Sequence, residues 1–198
     1  MARGRKKATK IIITSNDKAF FQCVAKSGRT SNELADKYFK IKPARISKMI
    51  KAGYLKTEPI IIQKKATYCL RLTDFAKKYV RDNIATVGSF YQASKQGTAH
   101  DLYVFEELAK KPKRLQDMAL VGNDIVNFFG KDEASSPPDI FFPATTIENK
   151  LGEIHYHPPQ AIEVVTRTYK PQHIEDKINY CQYRMNLPKG AIKFVKAA

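Results

Sequence analysis

Residues 137–150 read PPDIFFPATTIENK, and the way this stretch folds decides the architecture of the second half of the chain. It sets Asp139 nine residues ahead of Glu148, with Lys150 two residues further on. Two carboxylates share a Mg2+ ion only if each places an oxygen about 2.0–2.1 Å from it. A lysine beside them can orient water or steady developing charge. Spacing along the chain therefore has to be converted into spacing in space. The runs DIFFPATTI (139–147) and EIHYHPPQAIEVVTRTY (153–169) are strand-like and flank the turn NKLG (149–152). If that turn closes a hairpin, Glu148 faces about Glu153 and Asp139 falls opposite Ile162. A one-residue bulge at Pro158-Pro159 moves Asp139 opposite Glu163. Facing residues have Cβ atoms about 4.5–5.5 Å apart, close enough for one cation. Glu148 sits instead at the hairpin tip, roughly 30 Å away at about 3.3 Å per residue. Unless the strand folds back at Pro143, the pair able to hold a metal is Asp139 with Glu163, and Glu148-Asn149-Lys150 is a literal match without the geometry.

Around this stretch the second half alternates helix and strand. TAHDLYVFEELAKK (98–111) predicts a helix capped by Thr98, with Leu102, Phe105 and Leu108 on one face. RLQDMALVGNDIVNFFGKDEASSPP (114–138) mixes both signals and ends in a polar, acidic loop. PQHIEDKINYCQYRM (171–185) predicts a helix with Pro171 at its start and the stripe Ile174, Ile178, Cys181 and Met185. AIKFV (191–195) is a last strand, so the final strand–helix–strand unit can be a parallel crossover. Residues 98–198 read as an α/β domain.

The first half has a different order. SNDKAFFQCVAKSG (15–28) offers Ser15 as N-cap and Gly28 as stop, and RTSNELADKYF (29–39) offers Thr30 or Ser31 as cap. KPARISKMIKAGYL (42–55) places Pro43 in a first helical turn, turns Ile46, Met49 and Ile50 inward, and ends at Gly53. Two strand-like runs, joined by a Gln63-Lys64-Lys65 tip, precede a helix that opens at Thr73. Residues 86–98, TVGSFYQASKQGT, read as a linker or an irregular crossing.

Charge divides the chain at the same place. The net charge is +16, yet residues 1–88 hold 21 Lys and Arg against 6 Asp and Glu, while residues 89–198 hold 14 against 13. A basic module of this kind meets a polyanion. No basic amphipathic helix marks a terminus and no apolar run reaches membrane length, so no membrane partner is expected. The arm of residues 1–14, with Arg3 and Arg5, reads as a flexible basic tail that can lie along nucleic acid.

The phrase IxKMIKAGYLKT…YxLRLTDFAKKYV resembles winged helix-turn-helix domains over residues 15–88. The resemblance implies that the third helix enters the major groove of double-stranded DNA and that the hairpin tip rests on the backbone. With Ile46, Met49 and Ile50 inward, Arg45, Ser47, Lys48 and Lys51 face outward. Arg45 is placed to read a guanine edge. Lys48, Lys51, Lys64 and Lys65 are placed to neutralise phosphates.

The second half, with PPD opening one strand and IEVV supplying the next, resembles the PD-(D/E)xK nuclease fold. That resemblance implies Asp139 and Glu163 as metal ligands, with Mg2+ as the cofactor if the domain is active. The family's lysine position, two residues after the second acid, is held by Val165. Arg167 alternates onto the same strand face and Lys170 lies just beyond, so these are the candidate substitutes in a catalytic set of Asp139, Glu163, Arg167 and Lys170. An arginine stabilises charge but stays protonated and so does not serve as a base. The order of winged helix, His100-Asp101-Leu102, Pro-Pro-Asp, a Glu-Val strand and a helix bearing Lys177 and Tyr180 is similar to the replication–relaxation proteins of plasmids and conjugative elements. That similarity implies mobile-element replication, transfer or regulation, and a replication or transfer protein as a further partner.

The three cysteines, Cys23, Cys69 and Cys181, are far apart and read as buried free thiols in a reducing cytoplasm. His155 and His157 share a strand face without a third ligand and read as surface residues. His100 reads as a cap or packing residue. Two function classes follow. One is a DNA-binding accessory protein, a homodimer if it acts on two half-sites, whose nuclease-like domain lacks the full catalytic set. The other is a Mg2+-dependent, site-directed DNA endonuclease.

Overall fold

The computed structural model describes residues 11–62, 65–93, 97–149 and 151–197. The chain is a mixed α+β protein of helices and small sheets. Its first half runs α1 (Ser15–Ser27), α2 (Asn32–Phe39), α3 (Pro43–Lys51), β1 (Leu55–Ile62), β2 (Lys65–Leu72) and α4 (Asp74–Asn83). This is the expected order of three helices, a hairpin and a closing helix.

Local chemistry explains most of these boundaries. Thr14, not Ser15, caps α1. A capping box needs a carboxylate three residues on, and Asp17 stands there for Thr14, whereas Ser15 would meet Lys18. Thr14 N donates to Asp17 Oδ2 at 2.8 Å and Asp17 N donates to Thr14 Oγ1 at 3.2 Å. Ser31 caps α2 and Thr73 caps α4, each accepting from the backbone three residues on. Gly28 ends α1 at φ 81°, where an added Cβ would stand 2.8 Å from Ala93 Cβ. The β1–β2 ladder pairs Leu55 with Leu72 through to Ile62 with Lys65.

The second half runs α5 (Thr98–Ala109), α6 (Lys113–Met118), β3 (Leu120–Val121), α7 (Asn123–Phe129), β4 (Ile140–Phe142), β5 (Thr145–Glu148), β6 (Ile154–His157), β7 (Gln160–Val165), α8 (Pro171–Asn179) and β8 (Ile192–Lys196). A wide turn, Tyr180–Arg184, prolongs α8. The segment of mixed signals thus resolves into α6, β3 and α7. The four-stranded sheet has the order β3-β4-β7-β8, and β7 runs parallel to β8 through the α8 crossover. β5 and β6 pair as a separate hairpin.

Both faces of the four-stranded sheet are covered. Ile140, Phe142, Ile162 and Val164 join a core that continues through Phe105 of α5 to Phe20, Phe21 and Phe39. Their neighbours Phe141 and Ala161 join Ile125, Tyr180 and Cys181 on the other side, as the alternation of strand side chains requires. In α5 the inward face is Val104, Phe105 and Leu108, with Leu102 half-buried. All three cysteines are buried and free. Within the stretch read as a linker, Tyr91 N donates to Ala25 O at 2.9 Å and Val87 enters the core. The buried ammonium of Lys26 donates to three carbonyls at the end of α6, those of Gln116 (2.9 Å), Asp117 (3.0 Å) and Ala119 (2.8 Å). It thereby ties α1 to the second half. Among the described residues no helix is long and apolar enough to cross a membrane.

Candidate functional site

Strand pairing brings Asp139 to Glu163. Ile140 faces Ile162, so the residue before β4 stands opposite Glu163. The bulge expected at Pro158-Pro159 is not what produces this register. Glu148 faces Ile154, Thr145 faces His157 and Phe142 faces Gln160 with one constant offset. The offset is set in the turn, where Asn149 N donates to Glu153 O at 2.9 Å. Glu148 lies on the separate β5–β6 hairpin, exposed, and Lys150 lies outside the described residues.

A connected set of polar groups surrounds the pair. Asp139 N donates to Glu163 Oε2 at 3.0 Å, and Val164 N donates to Asp139 Oδ2 at 2.8 Å. His100 Nε2 is 3.0 Å from the same Asp139 oxygen, and its Nδ1 is 3.5 Å from Asp101 Oδ1. On the other side Tyr169 OH donates to Glu163 Oε1 at 2.5 Å. The Lys177 ammonium is 3.3 Å from that oxygen and donates to Pro137 O at 2.6 Å. The side chains of Glu163, Asp139 and His100 are 0%, 10% and 13% exposed.

Burial in such a place sets protonation. Desolvation, followed by the charge of Asp139, lifts Glu163 to about 7, although Lys177 and Tyr169 pull it down. Burial alone would lower His100. Its hydrogen bonds to Asp101 and Asp139 outweigh that and hold it at about 10, so it is an imidazolium at neutral pH. Burial, then the nearby carboxylates, also raise Tyr91 and Tyr169 well above the ordinary tyrosine range.

The cluster continues into the first half. Arg29, 1% exposed, donates to Asp101 Oδ2 at 3.1 Å and to Thr98 Oγ1 at 3.0 Å. Its Nε is 3.3 Å from Glu58 Oε2 on β1, which also meets Arg71 at 3.1 Å. Thr98, expected as a cap, serves this arginine, and Gly97 occupies the cap position.

The fit to a divalent cation can be tested on these contacts. Three of the four oxygens of Asp139 and Glu163 already accept hydrogen bonds from protein donors. Among the described residues no group of three or more His, Cys, Asp and Glu is set to hold a metal ion. In this arrangement the residues do not form a ready Mg2+ site. Arg167 and Lys170 are exposed beyond β7, and among the described residues no hydrogen bond or ion pair joins either to the pair. Lys177, from the crossover helix, is the cation that stands beside Glu163. His100, expected as a cap or packing residue, is packed at 13% exposure and also bonds Asp139.

The α3 face divides as follows. Ile46 and Met49 are buried, Ile50 is half-buried against the core, and Ser47, Lys48 and Lys51 are exposed. Arg45 is instead held by Asp17, with Nη2 at 2.5 Å from Oδ2, and donates to Ile12 O at 2.6 Å. The residue expected to read a guanine edge is thus engaged in an internal ion pair. Lys65 belongs to β2, and Lys64, Arg3 and Arg5 lie outside the described residues. His155 is exposed and His157 half-buried on the β6 strand.

No family model, no curated protein and no solved structure matches this chain.

Proposed function

We propose that the protein binds double-stranded DNA, with α3 in the major groove and the β1–β2 hairpin against the backbone. The observation that carries this reading is the exposed row Ser47, Lys48 and Lys51, opposite buried Ile46 and Met49. It lies in a half with 21 Lys and Arg against 6 Asp and Glu. Lys48 and Lys51 neutralise phosphates, and Ser47 faces the groove. Arg45 joins them where DNA draws it from Asp17. The same reading extends to the mobile-element role implied by the resemblance to replication–relaxation proteins, with a replication or transfer protein and a second copy of the chain as partners. The test is fluorescence anisotropy on labelled duplexes from the DNA that flanks its own coding region. Replacing Lys48 and Lys51 with alanine weakens binding at every duplex sequence by a similar factor.

One contact favours a second reading, that of a Mg2+-dependent DNA endonuclease. Lys177 stands 3.3 Å from Glu163, giving the acidic pair a cation where the strand itself supplies Val165. Activity requires His100 and Tyr169 to release the carboxylate oxygens. Incubation with supercoiled plasmid and Mg2+ or Mn2+ decides between the two. Nicking that is lost in Asp139→Ala establishes the endonuclease, and binding without nicking excludes it.

A further inference from the structure

A cleft of about 470 Å3 opens at the end of the four-stranded sheet away from the acidic pair. It lies between the α5–α6 turn, the start of β7 and the turn that leads into β8, and its walls include Lys111, Leu115, Phe142, His157, Pro158 and Gln160. The size falls within the roughly 300–1,000 Å3 of small-molecule sites, and apolar walls with a few polar groups are what such sites present.

Lys111 is the unusual member. Its ammonium donates to Gln160 Oε1 at 2.9 Å and stands 5.1 Å from the centroid of the Phe142 ring. Both partners are neutral. Glu107, the acid close enough to act on it, is already held by Lys110 at 2.7 Å and by Lys193 at 3.0 Å. Burial, and then the charge of Lys193, lower Lys111 below the usual lysine range. A half-buried cation with no carboxylate in ion-pair contact among the described residues, facing a cleft of mixed polar and apolar lining, is suited to an anion that carries both polar and apolar surface.

We propose that this cleft binds a nucleoside monophosphate group, with the phosphate on Lys111 and the base between Leu115, Pro158 and the edge of Phe142. The group can come as a free mononucleotide or as the 5′-phosphorylated end of a DNA strand. The site is separate from α3 and does not depend on the reading of that helix.

The test is calorimetry on the full chain with adenosine monophosphate, adenosine and inorganic phosphate. Variants Lys111→Met and Lys111→Gln remove the charge, Lys111→Arg retains it, and thermal melts of all three are taken first to establish that each is folded. Adenosine monophosphate is expected to bind at one site, at least about tenfold more tightly than either adenosine or phosphate alone, the difference that 1.4 kcal/mol makes. Lys111→Met and Lys111→Gln lose that binding and Lys111→Arg keeps it. No saturable binding to the wild type, or equal affinity in the uncharged variants, overturns the proposal. Short single strands with and without a 5′-phosphate separate the sources. A Lys111-dependent preference for the phosphorylated strand assigns the strand end, and its absence alongside mononucleotide binding assigns the free nucleotide.

Discussion

The ammonium of Lys177 lies 3.3 Å from Glu163 Oε1 and 2.6 Å from the carbonyl oxygen of Pro137. One side chain of the crossover helix thus fixes the acid of β7 to the loop that delivers Asp139 to β4. Glu163 is fully buried, so its charge depends on this neighbour and on the Tyr169 hydroxyl. Lys177→Met removes the cation that favours the Glu163 carboxylate, so the acid takes up a proton at neutral pH and the cost is that of lost charge-assisted hydrogen bonding, about 1.5–3 kcal/mol. Urea melts at neutral pH should show a loss of that order. Adding Glu163→Gln to Lys177→Met should cost little more, because the interaction between the two groups is already gone. A purely additive pair of losses would mean that the two groups do not act together.

Arg29 is a second buried tie, between Glu58 of the hairpin and Asp101 of the α5 helix. Removing its charge in Arg29→Met leaves Asp101 with His100 as its charged neighbour and breaks a buried charge-assisted hydrogen bond, and the expected destabilisation is about 1.5–3 kcal/mol. Thermal melts should show Asp101→Asn partly restoring the Arg29→Met variant. A melt unchanged by Arg29→Met alone would show that the bridge contributes nothing to stability.

The pH dependence of stability has a definite sign. Glu163 is raised from 4.5 to about 7 and His100 from 6.5 to about 10 in the folded protein. A group whose pKa is higher folded than unfolded binds more protons in the folded state, so its contribution is full below the unfolded value and is lost as pH rises through the folded one. Glu163 acts between 4.5 and about 7 and His100 between 6.5 and about 10. Urea midpoints should therefore fall from about pH 5 to about pH 8, above which Lys26, lowered by burial to about 8, acts in the opposite sense. Glu163→Gln should flatten the lower part of that fall and His100→Gln the upper part. Both groups adjoin Asp139, so Asp139→Asn should diminish the fall attributed to His100. Midpoints that climb over this range would contradict these assignments.

How far the sequence discloses this protein depends on the range of the interaction. Helix ends are local, so Gly28 and Thr73 mark them directly, and Thr30-Ser31 marks the start of α2 to within one residue. The Thr14 cap follows from the position of Asp17 three residues on. Asp139 and Glu163 are also legible, because strand alternation places them across a ladder, although the offset arises in the turn after Glu148 and not at Pro158-Pro159. Lys177 is harder to find. It stands fourteen residues beyond Glu163, and only the return of α8 over the sheet brings the two together. In the sequence it stands out only beside Tyr180, through the resemblance to replication–relaxation proteins. Arg29, Glu58 and Asp101 give no periodic signal, since each lies on a different element. Arg45 falls on the outward face of α3 as the helical spacing requires, yet it bonds Asp17, 28 residues away. Helical periodicity gives the direction of a side chain but not its partner.

The central claim, that the exposed lysines of α3 bind DNA, is tested most directly by the salt dependence of affinity in the wild type and in the Lys48→Ala, Lys51→Ala double variant. Each lysine that neutralises a phosphate adds about 0.9 to the slope of log affinity against log salt. The account predicts steeply salt-dependent binding by the wild type and a slope smaller by about 2 in the double variant. Identical slopes in the two proteins, or wild-type affinity that does not change with salt, would contradict it.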